Sequence, residues 1–125
     1  MEPGGEEARS SAESADLLSA SRIAYAECRA AIARAGQRMS RSEALYGRQT
    51  FERIWAEMAI IELDAALSVV AGDLAERHAL RGMDAIHLAS ALWMRDAAER
   101  ALVFAAWDDR LRAAARGEGL ALLPG

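Results

Sequence analysis

The chain has 125 residues, a formal net charge of −4 and an apolar fraction of 53%. A single domain spanning 1–125 can bury a real core at that size, and the composition excludes an intrinsically disordered chain. The acidic balance argues against bulk electrostatic attraction to nucleic acid, and the short, broken apolar runs leave no membrane span.

The opening Met1-Glu2-Pro3-Gly4-Gly5-Glu6-Glu7 is acidic and lacks the apolar stretch of a signal peptide. Glu6 to Ser14 reads as a short helix and Ala15 to Ala20 as a short strand. Ser21 is placed to cap a helix from Arg22 to about Ala35, which Gly36 would stop. That helix carries Cys28, the only cysteine, so no internal disulfide or cysteine-based zinc cluster can form. A reducing, cytoplasmic setting fits best. Ser40-Arg41-Ser42-Glu43 has the capping-box pattern and opens a second helix to about Met58. Ala59 to Leu63 is a plausible buried strand, and Asp64 caps a helix through Glu76 or Arg77. A turn at Arg81-Gly82 leads into a helix to about Arg95, with an apolar stripe at Ala85, Leu88, Ala89 and Leu92. Leu102 to Trp107 is the clearest strand, a continuous apolar run of the kind covered on both faces in a parallel sheet. Asp108 then caps a helix over 109–116, Gly117 and Gly119 end it, and Leu120 to Leu123 form a last strand. Strands alternating with helices predict an α/β fold with a parallel sheet and right-handed crossovers.

Three carboxylates stand out. Asp84 lies in the first turn of its helix, where the macrodipole favours the ionised form. Asp108 directly follows a strand, at the carboxyl edge where such sheets place ligands; the competing reading is an ordinary helix cap. Glu27 has Ile23, Ala30 and Ala31 as helical neighbours, an apolar setting for a charge unless a cation or a partner neutralises it. Its competing reading is an edge position paired with Arg34 or another helix. Oxygen ligands without cysteine or paired histidine suit Mg²⁺ or Mn²⁺ rather than zinc. A divalent cation of that kind activates water against a phosphodiester.

The segments Ser21-Arg-Ile-Ala-Tyr-Ala-Glu27-Cys, Arg81-Gly-Met-Asp84-Ala-Ile-His87-Leu-Ala-Ser-Ala and Leu102-Val-Phe-Ala-Ala-Trp-Asp108 resemble those of the PIN-domain ribonucleases of the VapC toxin type. The resemblance implies a three-layer α/β/α sandwich, Mg²⁺-dependent endonucleolytic cleavage of RNA and a small antitoxin partner. Carried over by position, Glu27, Asp84 and Asp108 are three of the family's four acidic residues. The fourth ends a first, interior strand in the family, as Asp followed closely by Ser or Thr. No such motif precedes Glu27, and Asp16 is no substitute. The expectation is that about fifteen residues are missing from the N-terminus, most simply through a misplaced start codon. A missing interior strand predicts two unpaired edges, an incomplete metal site and poor activity.

Among the remaining residues, His87 is expected mainly to pack and hydrogen-bond on the inner helix, with a site carboxylate as its alternative partner. His78 is expected in solvent, and Cys28 as an unreactive buried thiol. Trp93 and Met94 read as core or interface. Trp55 and Met58 suggest an apolar surface for a partner or for a homodimer. Arg81 could guide phosphate, and Asp109 could add to the acidic pocket. Two rival functions stand beside the nuclease: a degenerate remnant that still binds an antitoxin or dimerises, and a phospho-acceptor domain using Asp108. Labelling by a phosphate mimic would identify the latter.

Overall fold

The structure, a computed structural model, describes residues 17–125. The helix expected over Glu6 to Ser14 lies outside the described residues, as does the start of the strand expected from Ala15. In chain order the elements are β1 (Ser19–Ser21), α1 (Ala24–Gly36), α2 (Arg41–Glu57), β2 (Ala59–Ile61), α3 (Ala65–His78), α4 (Gly82–Ala98), β3 (Val103–Ala105), α5 (Asp109–Gly117) and β4 (Ala121–Leu123). The alternation is that of the α/β class. Among the described residues every strand pairing is parallel, and the sheet is in two pieces: β1 pairs with β2, Ala20 opposite Ile60, and β3 pairs with β4, Phe104 opposite Leu122.

Local chemistry sets most boundaries. The Ser40 hydroxyl accepts from the Glu43 amide at 3.1 Å, while the Glu43 carboxylate accepts from the Ser40 amide at 3.1 Å, so the capping box is complete. Asp64 caps α3 by accepting from the Leu67 amide at 2.8 Å. Ser21 is buried at the end of β1, opposite Ile61, and its hydroxyl accepts from the Ile23 amide at 3.4 Å. The regular helix begins later than expected, after Ile23, which offers no side-chain cap of its own. Two helix ends carry no glycine signal at all: Ala79 closes α3 and Glu99 closes α4, at φ of 53° and 51°. Those left-handed residues carry α3 to His78 and α4 to Ala98, each beyond the expected end.

The core lies where α3 and α4 pack together. Ala71 of α3 and Ala85 and Ala89 of α4 are small enough to bring the helices close, and Leu74 and Leu88 fill the seam; Leu88 is fully buried. Ile61, Phe104, Leu111, Ala115 and Leu120 extend this core towards the strands and α5. By contrast α1 and α2 bury no residue fully. They meet through a ring cluster in which Tyr25 lies 5.6 Å from Phe51 and 5.3 Å from Trp55. Trp55 therefore serves the hairpin between α1 and α2 rather than an open surface. The expectation that β3 is covered on both faces is corrected: Phe104 is buried, while Val103 and Ala105 on the other face are exposed.

Candidate active site

The expected acids divide between two places. Asp84 stands in the first turn of α4. Asp108 precedes α5, and its Oδ2 accepts from the Leu111 amide at 2.9 Å. Its cap role is therefore real, and it does not exhaust the carboxylate. Asp84 and Asp108 line one cleft together with Ala79, Leu80, Arg81, Asp109 and Arg110. Two helix N-termini, those of α4 and α5, thus converge there, and their partial positive charge lowers the cost of three neighbouring carboxylates. Leu80 gives the cleft a buried apolar wall. Arg110 donates to the Ala79 carbonyl at 3.0 Å, which ties α5 to the turn between α3 and α4.

Glu27 does not line that cleft. It lies on α1, exposed, and its Oε1 accepts from His87 Nε2 at 2.5 Å. Of the partners in its competing reading, Arg34 does not pair with it, but another helix does: the bond comes from His87 of α4. His87 accordingly contacts a candidate site carboxylate as well as packing on α4, the lesser of its two expected roles. The signal in the sequence was its spacing, since residues three apart share a helix face and His87 follows Asp84 by three.

The donor set agrees in kind with a hard divalent cation, because the cleft offers carboxylate oxygens and no thiolate. In number it falls short. Among the described residues no group of three or more His, Cys, Asp or Glu side chains is placed to hold a metal ion. Cys28 sits beside Glu27, and its thiol is pushed up first by burial and then by the Glu27 charge, so it stays protonated and unreactive.

A second polar cluster escaped the sequence. His78 is half-buried, not solvated, and its Nε2 lies 2.7 Å from Glu118 Oε2, which also accepts from Arg77 at 2.8 Å. Arg95 donates to the Glu118 carbonyl at 2.9 Å. These bonds join the C-terminal ends of α3 and α5 to α4. The hydrogen bond from His78, then that from Arg77, holds the Glu118 carboxyl below its usual range. The partners lie about 40 residues apart in the chain, a separation to which no local pattern is sensitive.

The PIN-domain family model matches residues 1–117. Two relatives are similar over most of the chain: Ribonuclease VapC45 of Mycobacterium tuberculosis (strain CDC 1551 / Oshkosh) and Ribonuclease VapC49 of Mycobacterium tuberculosis (strain ATCC 25618 / H37Rv). Each is 42% identical over 111 residues, covering 87% of this chain and 75% of the relative. No solved structure matches the chain. None of the described helices is long and apolar enough to cross a membrane. With the motifs around Glu27, Asp84 and Asp108 in place, the chain belongs to the PIN-domain family and is of its VapC type.

Proposed function

We propose that the chain is the toxin of a toxin–antitoxin pair and an endoribonuclease that uses Mg²⁺ or Mn²⁺. The observation that carries this reading is the meeting of Asp84 and Asp108 in one cleft at two helix N-termini. Identity of 42% to proteins named ribonuclease supports the substrate class. Asp84 and Asp108 would hold the cation, with Glu27 as third donor. Such a cation supplies Lewis acidity and charge neutralisation at a phosphodiester. The chain's own groups provide the rest. Arg81, exposed at the cleft, presents a guanidinium fork to a phosphate, and Leu80 keeps one wall apolar. Arg110 holds the α5 end against the Ala79 carbonyl and so fixes the spacing of the two aspartates.

The partners in this reading are RNA, an antitoxin and a second copy of the chain. Surface-exposed Leu45, Tyr46 and Ile54 of α2 supply apolar area for a protein contact. A second reading, a catalytically impaired domain that binds an antitoxin or dimerises, is favoured by the absence of a three-donor group among the described residues.

The deciding experiment incubates RNA with the chain and its Asp84→Asn variant, in Mg²⁺ and in chelator. The nuclease reading expects cleavage only with Mg²⁺. It also expects a loss in the variant greater than the roughly 10–100-fold typical of outer partners of metal ligands. Equal cleavage by both proteins would remove Asp84 from the site. No cleavage by a folded, unmodified chain would favour the impaired domain.

A further inference from the structure

The α1–α2 hairpin carries charge of the opposite sign to the rest of the chain. Between Arg22 and Met58 seven arginines stand against four glutamates, whereas the remaining eight arginines face fifteen acids. Four of the seven gather at the tip of the hairpin. A Cβ at Gly36 would lie 3.2 Å from the Ala44 side chain, so the end of α1 and the start of α2 pack closely. Arg34 and Arg38 flank Gly36, and Arg41 and Arg48 lie within about one turn of Ala44 on α2. The connection is well formed: the Gln37, Arg38 and Met39 amides donate to the Arg34, Ala35 and Gly36 carbonyls at 3.3, 3.1 and 3.2 Å. All four arginines are exposed, and none forms an ion pair among the described residues. The other three arginines of the hairpin are engaged, Arg22 with Glu62, Arg29 with Glu52 and Arg53 with Thr50. Glu43, the acid at this end, accepts from the Ser40 amide.

We propose that this tip is a phosphate-backbone site, which anchors single-stranded RNA while another stretch of the same strand lies in the cleft. The proposal rests on the nuclease reading above. Asp84, Asp108 and Asp109 at the cleft repel a polyanion, as does the net charge of −4, so the strand is held only where positive charge is locally in excess. Guanidinium forks match phosphate oxygens in pairs, and an arginine without an internal ion pair breaks none on binding. Helix α1 leads from the cleft side of the molecule to the tip. Glu27 is held by His87, one turn from Asp84, and nine residues of helix separate Glu27 from Gly36, roughly 14 Å. A short stretch of single strand covers that distance.

The test is fluorescence anisotropy of a labelled oligouridylate of about 20 nucleotides, titrated with the full chain in EDTA between about 50 and 200 mM NaCl. Chelation stops metal-dependent cleavage, so binding is read apart from the metal. Arg34→Gln, Arg38→Gln, Arg41→Gln and Arg48→Gln are compared singly and combined, with far-ultraviolet circular dichroism as the check on folding. Arg116→Gln is the control, since it removes the same charge at the end of α5 away from the cleft. A guanidinium on a phosphate contributes about 0.7 to the slope of log affinity against log salt for a single strand, hence about fivefold in affinity near 0.1 M. Each hairpin variant is expected to show about that loss and the combined variant at least about 50-fold, with Arg116→Gln within about twofold of the unmodified chain. Replacing all four by lysine keeps the charge and should recover the slope. Unchanged affinity in the combined variant would overturn the proposal and leave the tip to an acidic protein segment. A lysine variant as weak as the glutamine one would overturn it too, as would a loss in Arg116→Gln equal to that in the hairpin variants. If the combined variant does not fold, the four single variants decide by the same criteria. Cleavage assays separate the two readings. Metal-dependent cleavage with binding that ignores the hairpin sinks the anchor alone, whereas hairpin-dependent binding without cleavage removes the nuclease and keeps the anchor.

Discussion

Asp108 combines two functions that substitution can separate. Its Oδ2 accepts from the amide of Leu111, a residue that is 7% exposed. Replacement by alanine removes the cap, worth about 1 kcal/mol, and leaves a partly shielded N–H without a partner, so the expected loss is about 1–2 kcal/mol. Asparagine keeps the acceptor and removes the charge. Two smaller effects then oppose each other: relief of repulsion from Asp84 and Asp109, and loss of a favourable charge at the α5 N-terminus, worth about 0.3–1 kcal/mol. Asp108→Asn should therefore match the unmodified chain within about 0.5 kcal/mol. Asp64 provides the control, since it caps α3 through the Leu67 amide at 2.8 Å, Leu67 is 5% exposed, and Asp64 does not line the cleft. Asp64→Ala should cost about the same 1–2 kcal/mol and leave RNA cleavage intact, whereas Asp108→Asn should lose cleavage at nearly full stability. Urea unfolding followed by circular dichroism measures the first quantity and a ribonuclease assay the second. The reasoning fails if Asp108→Asn is destabilised as much as Asp108→Ala, or if Asp108→Asn cleaves RNA at the unmodified rate.

Two further outcomes follow from packing and charge. Leu88→Ala empties the seam between α3 and α4 at a fully buried position, and should cost about 2–5 kcal/mol in urea unfolding; a loss under about 1 kcal/mol would mean that the core is elsewhere. Glu118 has a depressed carboxyl pKa in the fold, so its contribution is full above the ordinary carboxylate range and disappears as pH falls through the lowered value. Thermal unfolding of Glu118→Gln should therefore lie below that of the unmodified chain at pH 7, and the two should converge in strongly acidic buffer. A constant difference across that range would show that Glu118 acts through packing alone.

How far the sequence anticipated the molecule depended on the range of the forces involved. Ser40 with Glu43, Asp64 and Asp108 act within four residues of their targets, and each forms the expected cap. The stripe of Ala85, Leu88 and Ala89 predicts a buried helix face, and that face is the core. Ser21 accepts from the Ile23 amide at 3.4 Å, but its pairing with a strand about forty residues away keeps it in β1, so the helix starts at Ala24 rather than Arg22. His78 was expected in water because its partner Glu118 lies 40 residues further along the chain, just past the end of α5. Of the acids, the convergence of Asp84 and Asp108 follows from their places at the starts of α4 and α5. The partner of Glu27 does not follow from its neighbours on α1, because the bond crosses between helices.

The α1–α2 hairpin, joined by the Tyr25, Phe51 and Trp55 rings yet burying no residue completely, makes the stability of this molecule uneven. Opening it exposes little apolar surface, so its local opening free energy is only a fraction of the global value. Amide hydrogens along α1 are therefore expected to exchange with solvent before those of α4, whose Ala85, Leu88, Ala89 and Ser90 are buried. Asp84 and Asp108 thus stand on the well-buried part of the fold and Glu27 on its least buried part, so the three candidate acids differ in how firmly the fold holds them.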